Sequence, residues 1–216
     1  VTEAEWLACE EPDALLAVLM RRGGNRRRFH LFACACCREA WALLHDRRSR
    51  LAVRRVEQYA DADESDRLRG VCNMANAAYH EGARRDGPFS APALAARAAM
   101  WAATSGWCAA ATGVALALEA AYGVTRPTTT RREAALLRDI FGNPFRPAAF
   151  SGELRTDTAV SLARRMYEAR DFSAMPILAD ALQDAGCADE QILDHCRGSG
   201  PHVRGCWVVD LVLGKE

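Results

Sequence analysis

Lysine is almost missing from this chain: of its 28 basic residues, only Lys215 is not an arginine. A GC-rich genome, which favours Ala and Arg codons, would account for that bias, so it carries little functional weight. Familiar catalytic signatures are missing as well. The sequence holds no Gly-x-Ser-x-Gly elbow, no P-loop, no Rossmann glycine fingerprint and no His-Glu-x-x-His. No motif supplies a nucleophile, a base and a binding loop together, so the expectation leans away from an enzyme. Strand-favouring Val, Ile, Thr and aromatic residues are sparse, while Ala makes up about a fifth of the 216 residues. That balance favours helices. No charged-then-apolar leader pattern opens the sequence. The nine cysteines are odd in number and sit in a chain with half its residues hydrophobic, unlike a small disulfide scaffold. A cytoplasmic protein with free thiols is expected.

Net charge is zero but unevenly spread. Eleven arginines fall between Arg21 and Arg55 against Glu39 and Asp46, whereas 2–13 and 171–194 are acidic. The run "RRGGNRRRF" makes Arg21, Arg22, Arg26, Arg27 and Arg28 candidates for gripping nucleic-acid phosphate beside Phe29. The competing expectation is that the acidic segments neutralise these arginines within the fold. Phe29 falls on an apolar helical stripe, which favours neutralisation.

From Ala98 to Leu118 the sequence runs 21 residues without a charge, long enough to cross a bilayer. Its bulk is Ala, diluted by Thr, Ser and Gly, with only Val114, Leu116 and Leu118 to drive insertion. It reads as a core helix interrupted near Ser105 and Gly106, with no membrane partner.

"TEAE" is a capping box at Thr2 and Glu5, and Pro12 starts a second helix that "RRGGN" ends. The stripes Phe29-Phe32-Cys36-Ala40-Leu43 and His30-Cys34-Cys37-Trp41-Leu44 together describe a helix buried on most of its girth. An Arg-rich helix follows from about Ser49 to Ala60. Further helices are expected over 157–170, 174–185 and 189–196. The last stretch, "HVRGCWVVDLVLG", reads as a helix begun by Pro201, though its valines also permit a strand. The fold class is all-α, an irregular multi-helix bundle with a buried central helix around 29–45. Its two helical parts are 1–141 and 148–216, joined near Gly142 to Pro147 and docked as one domain.

"HCRGSGPHVRGCW" is the most chemically suggestive stretch. If Pro201 starts a helix, His202 and Cys206 share a face, and His30 and Cys34 have the same spacing on the central helix. The four residues His30, Cys34, His202 and Cys206 then make a candidate tetrahedral zinc site. Cys196 or Cys206 with His195 or His202 permits a Cys-His nucleophile instead. The plainer reading makes the cysteines core filler and leaves no cofactor. The C-x-x-C of Cys34 and Cys37 lies mid-helix and lacks the helix N-terminus that redox chemistry uses.

The blocks "TEAEWL", "LFACACCR", "DIFGNPFRP", "LADALQDAGC" and "GPHVRGCWVVDLVLGKE" resemble a many-membered family of planctomycete bacterial proteins. The resemblance implies a bacterial intracellular protein from a paralogous set and no catalytic residues. The leading expectation is therefore a non-enzymatic interaction or regulatory module with an unidentified protein partner. The alternatives are a zinc-stabilised helical domain that binds nucleic acid, and an enzyme using the C-terminal His/Cys cluster.

Overall fold

A computed structural model of the chain describes residues 1–62, 67–104 and 126–215. It is all-α, with no strand among the described residues. The first six helices are α1 Glu3–Ala8, α2 Pro12–Arg21, α3 Arg26–Glu39, α4 Arg47–Ala62, α5 Leu68–Asp86 and α6 Ala91–Ala102. They are followed by α7 Arg126–Phe141, α8 Asp157–Ala169, α9 Met175–Asp184, α10 Glu190–Arg197 and α11 Trp207–Leu213. No helix among them is long and apolar enough to cross a membrane. The uncharged run enters α6, which ends at Ala102, while 105–118 and the expected break lie outside the described residues.

Two compact units form, Glu10–Ala134 and Val1–Cys9 with Ala135–Glu216. In the first, every residue from Phe29 to Cys37 of α3 is buried. This is the expected central helix, although it stops at Glu39 and a 3-10 turn, Trp41–Leu43, follows. Helix α3 packs on α4 and α6, and α4 packs on α5. Full burial of Phe29, Leu31 and Phe32 contributes about 1.5–3 kcal/mol each. The "RRGGN" stop is built closely: a Cβ at Gly24 would meet the Phe29 ring at 2.6 Å.

The second unit is drawn differently from the expected 148–216 part, because the N-terminal helix belongs to it. Trp6 on α1 is fully buried. The Arg138 guanidinium donates to the Trp6 carbonyl at 3.0 and 2.9 Å and also to the Cys9 carbonyl. Asn143 donates to Glu3 at 2.7 Å. These bonds tie 1–9 to the end of α7. The Gly142–Pro147 turn, expected as the join, lies inside this unit. Gly142 has φ +67°, and a Cβ there would sit 3.2 Å from the Trp207 ring. Around this turn α8 packs on α9 and α11, and α10 packs on α9 and α11. Local caps set these helices: Thr156 accepts from the Ala159 amide at 3.3 Å and Asp189 from that of Gln191 at 2.9 Å.

Candidate metal centre

Three stretches of the second unit converge on one partly buried point. Asp139 comes from the last turn of α7 and His195 from the last turn of α10, while His202 and Cys206 come from the segment before α11. Pro201 does not begin the final helix. Gly205 adopts φ +97° and the Cys206 amide bonds the Val203 carbonyl at 2.9 Å, a turn through which no helix runs. Residues 207–213 are nonetheless helical, not strand. His202 and Cys206 therefore meet by loop folding rather than on one helical face.

The donor atoms of Asp139, His195, His202 and Cys206 all lie within 4.8 Å of one another. Asp139 Oδ1 is 3.0 Å from His202 Nδ1 and 3.2 Å from His195 Nε2, and His195 Nε2 is 3.2 Å from Cys206 Sγ. Zinc with bonds of about 2.0–2.3 Å sets neighbouring tetrahedral donors about 3.3–3.7 Å apart. The cluster is within a few tenths of an ångström of that spacing along three edges. Its donors are also oriented from behind. The Val203 N–H donates to Asp139 Oδ2 at 2.9 Å, which turns Oδ1 toward the group. His202 Nε2 lies 3.4 Å from the Gly198 carbonyl, which would accept the Nε2 proton once Nδ1 bound an ion. Such outer hydrogen bonds hold metal-ligating imidazoles in one tautomer. The His195 ring packs edge-on against His202 at 4.9 Å and at a tilt against Trp207 at 5.1 Å.

The Cys206 side chain is fully buried, and burial followed by the Asp139 charge pushes its thiol well up from the ordinary range. A nucleophile works as an accessible thiolate, whereas burial favours the protonated thiol of Cys206 beside His195. A divalent cation inverts that logic, since a coordinating thiol is deprotonated by the ion itself. Cys196 beside it is buried too, and burial then Cys187 push its thiol up to about 12.

His30 and Cys34 lie in the other unit and take no part in this group. His30 Nδ1 bonds the Ala102 carbonyl at 3.2 Å, and Cys34 bonds the Val53 carbonyl at 3.6 Å. Their helical spacing is real, but α6 and α4 occupy the face they share. Of the arginine candidates, Arg27 is bound twice to Asp61 at 3.2 and 3.0 Å, and Arg28 is half-buried. Arg21, Arg22 and Arg26 are exposed, but the Phe29 beside them is fully buried. The acids that pair with arginines of this region are Asp61 with Arg27, Glu57 with Arg38, and Asp46 and Glu81 with Arg48, so only part of its positive charge is met. They come from α4, α5 and the turn before α4.

Asp139 and His195 complete the group that the sequence had only half supplied. Asp139 carried a signal: it is an acid inside the apolar run Leu136, Leu137, Ile140 and Phe141, and a buried acid needs a partner. No family model, curated protein or solved structure matches the chain.

Proposed function

We propose that this chain is a non-enzymatic helical interaction or regulatory module whose Val1–Cys9 and Ala135–Glu216 unit is held together by one structural zinc ion. The observation that carries this reading is the convergence of Asp139, His195, His202 and Cys206 on one point from three stretches of chain. A carboxylate and a thiolate supply two negative charges against the ion's two positive ones, so the centre is neutral where it is buried. Four protein donors fill a tetrahedron and leave no open position for substrate, the hallmark of a structural rather than a catalytic zinc. One sulphur and two imidazoles suit zinc, whereas calcium and magnesium select oxygen ligands. The eight described cysteines are all free thiols, which suits a reducing bacterial cytoplasm.

Elemental analysis of protein purified without chelator tests the reading. One zinc per chain is expected, lost in Asp139→Ala and Cys206→Ala and retained in His30→Ala and Cys34→Ala. Should the first two variants fold poorly, chelation of the wild type gives the same answer. Helices α8 to α11 then lose hydrogen-exchange protection, and zinc but not magnesium restores it. Metal-free protein of unchanged stability would contradict the proposal.

A further inference from the structure

Helix α4 buries Ala52, Val53 and Val56 and turns Arg47, Leu51, Arg54, Arg55 and Gln58 to solvent. Carboxylates around it are already engaged. Glu57 binds Arg38, Asp61 binds Arg27, Asp46 and Glu81 bind Arg48, and Glu39 binds Arg132. Arg47, Arg50 and Arg54 have no acidic partner among the described residues, and Arg55 bonds only the neutral Gln58 at 3.3 Å. Four guanidiniums with no carboxylate partner among the described residues therefore line about 12 Å of one helix, at 1.5 Å per residue.

Trp41, on the 3-10 turn before this helix, supplies an independent observation. Its half-buried ring has three guanidiniums around it, those of Arg38 at 4.7 Å and of Arg50 and Arg54 at 5.6 Å each. Arg50 also donates to the Trp41 carbonyl at 3.4 Å. The indole quadrupole orients these cations without cancelling their charge. Of the three, only Arg38 meets a carboxylate among the described residues.

We infer that the face formed by Trp41 and the Arg47, Arg50, Arg54 and Arg55 side chains binds single-stranded nucleic acid. The arginines along α4 contact successive phosphates, and the guanidinium planes backed by Trp41 stack on an unpaired base. The length of the charged row argues against a lone phosphate ion. A duplex hides its base faces and leaves the Trp41 cluster unused. This face lies in the Glu10–Ala134 unit and shares no residue with the metal centre, so either reading stands without the other.

Fluorescence anisotropy of the full chain with a labelled oligouridine tests the inference. Binding is expected at low salt, with log affinity falling on log salt by about 0.7 for each phosphate contact. Combining Arg47→Gln, Arg54→Gln and Arg55→Gln is expected to weaken binding roughly tenfold or more and to flatten that slope. Because these side chains are exposed, the melting temperature stays unchanged, which separates lost contact from lost fold. Trp41→Leu is expected to weaken the single strand while leaving weak duplex binding as it was. Absence of binding at low salt would overturn the inference. So would equal affinity of the triple variant, or equal or tighter binding of a duplex or of vesicles rich in phosphatidylserine.

Discussion

The Nε2 atom of His195 lies 3.2 Å from the Cys206 sulphur and the same 3.2 Å from Asp139 Oδ1. Asp139 is 2% exposed, so its charge has little water to answer it. Asp139→Asn keeps the shape and an acceptor for the Val203 amide but removes that charge. Zinc affinity, measured by competition with a chromophoric chelator, is expected to fall by at least about tenfold. Unchanged affinity would remove Asp139 from the ligand set.

Arg138 fastens α1 to the end of α7 through the Trp6 and Cys9 carbonyls. Charge-assisted bonds of this kind contribute about 1.5–3 kcal/mol. Arg138→Met is therefore expected to destabilise the unit by that order and to release α1 first, seen as faster amide exchange over 3–8. Arg138→Lys restores the charge but not the planar fork, so only partial recovery is expected.

Gly142→Ala combines two costs. The residue holds φ +67°, and its new methyl would stand 3.2 Å from the Trp207 ring. The left-handed conformation alone costs about 1–2 kcal/mol for an L-residue. Chemical denaturation should show at least that loss. Because Trp207 packs on His195 at 5.1 Å, zinc affinity is expected to fall alongside.

His30 gives the other unit a pH dependence of defined sign. Burial holds its pKa below the ordinary 6.5, aided by Arg26 and opposed by the bond to the Ala102 carbonyl. Above pH about 6.5 neither the folded nor the unfolded chain carries the proton, and its contribution is fully present. As pH falls through that value the unfolded chain takes up the proton first, so stability drops until the folded-state pKa is passed. Corrected for the intrinsic exchange rate, the protection of α3 amides is expected to fall as pH drops below about 6.5, and less so in His30→Leu.

Much of the helix pattern was legible because caps and breaks are local. Thr2 with Glu5, Pro12, Thr156 and Asp189 begin their helices where the residue types call for it. The buried stretch of α3 followed from two apolar stripes. The candidate metal group was half legible. His202 and Cys206 were paired through a helical spacing they do not have, since the Gly205 turn comes between Pro201 and the helix. Asp139 lies 56 residues before His195, and no local pattern records which α7 face meets the α10 terminus. His30 and Cys34 share a helix face as expected, but α4 and α6 cover it. Nor does a local pattern record that Arg138 reaches back about 130 residues to the Trp6 carbonyl.

X-ray absorption at the zinc edge of the untreated protein tests the metal-centred reading most directly. The expected shell is one sulphur at about 2.3 Å with three nitrogen or oxygen neighbours at about 2.0–2.2 Å, reduced to nitrogen and oxygen alone in Cys206→Asp. A protein without zinc, or a zinc shell holding no sulphur or more than one, would contradict it.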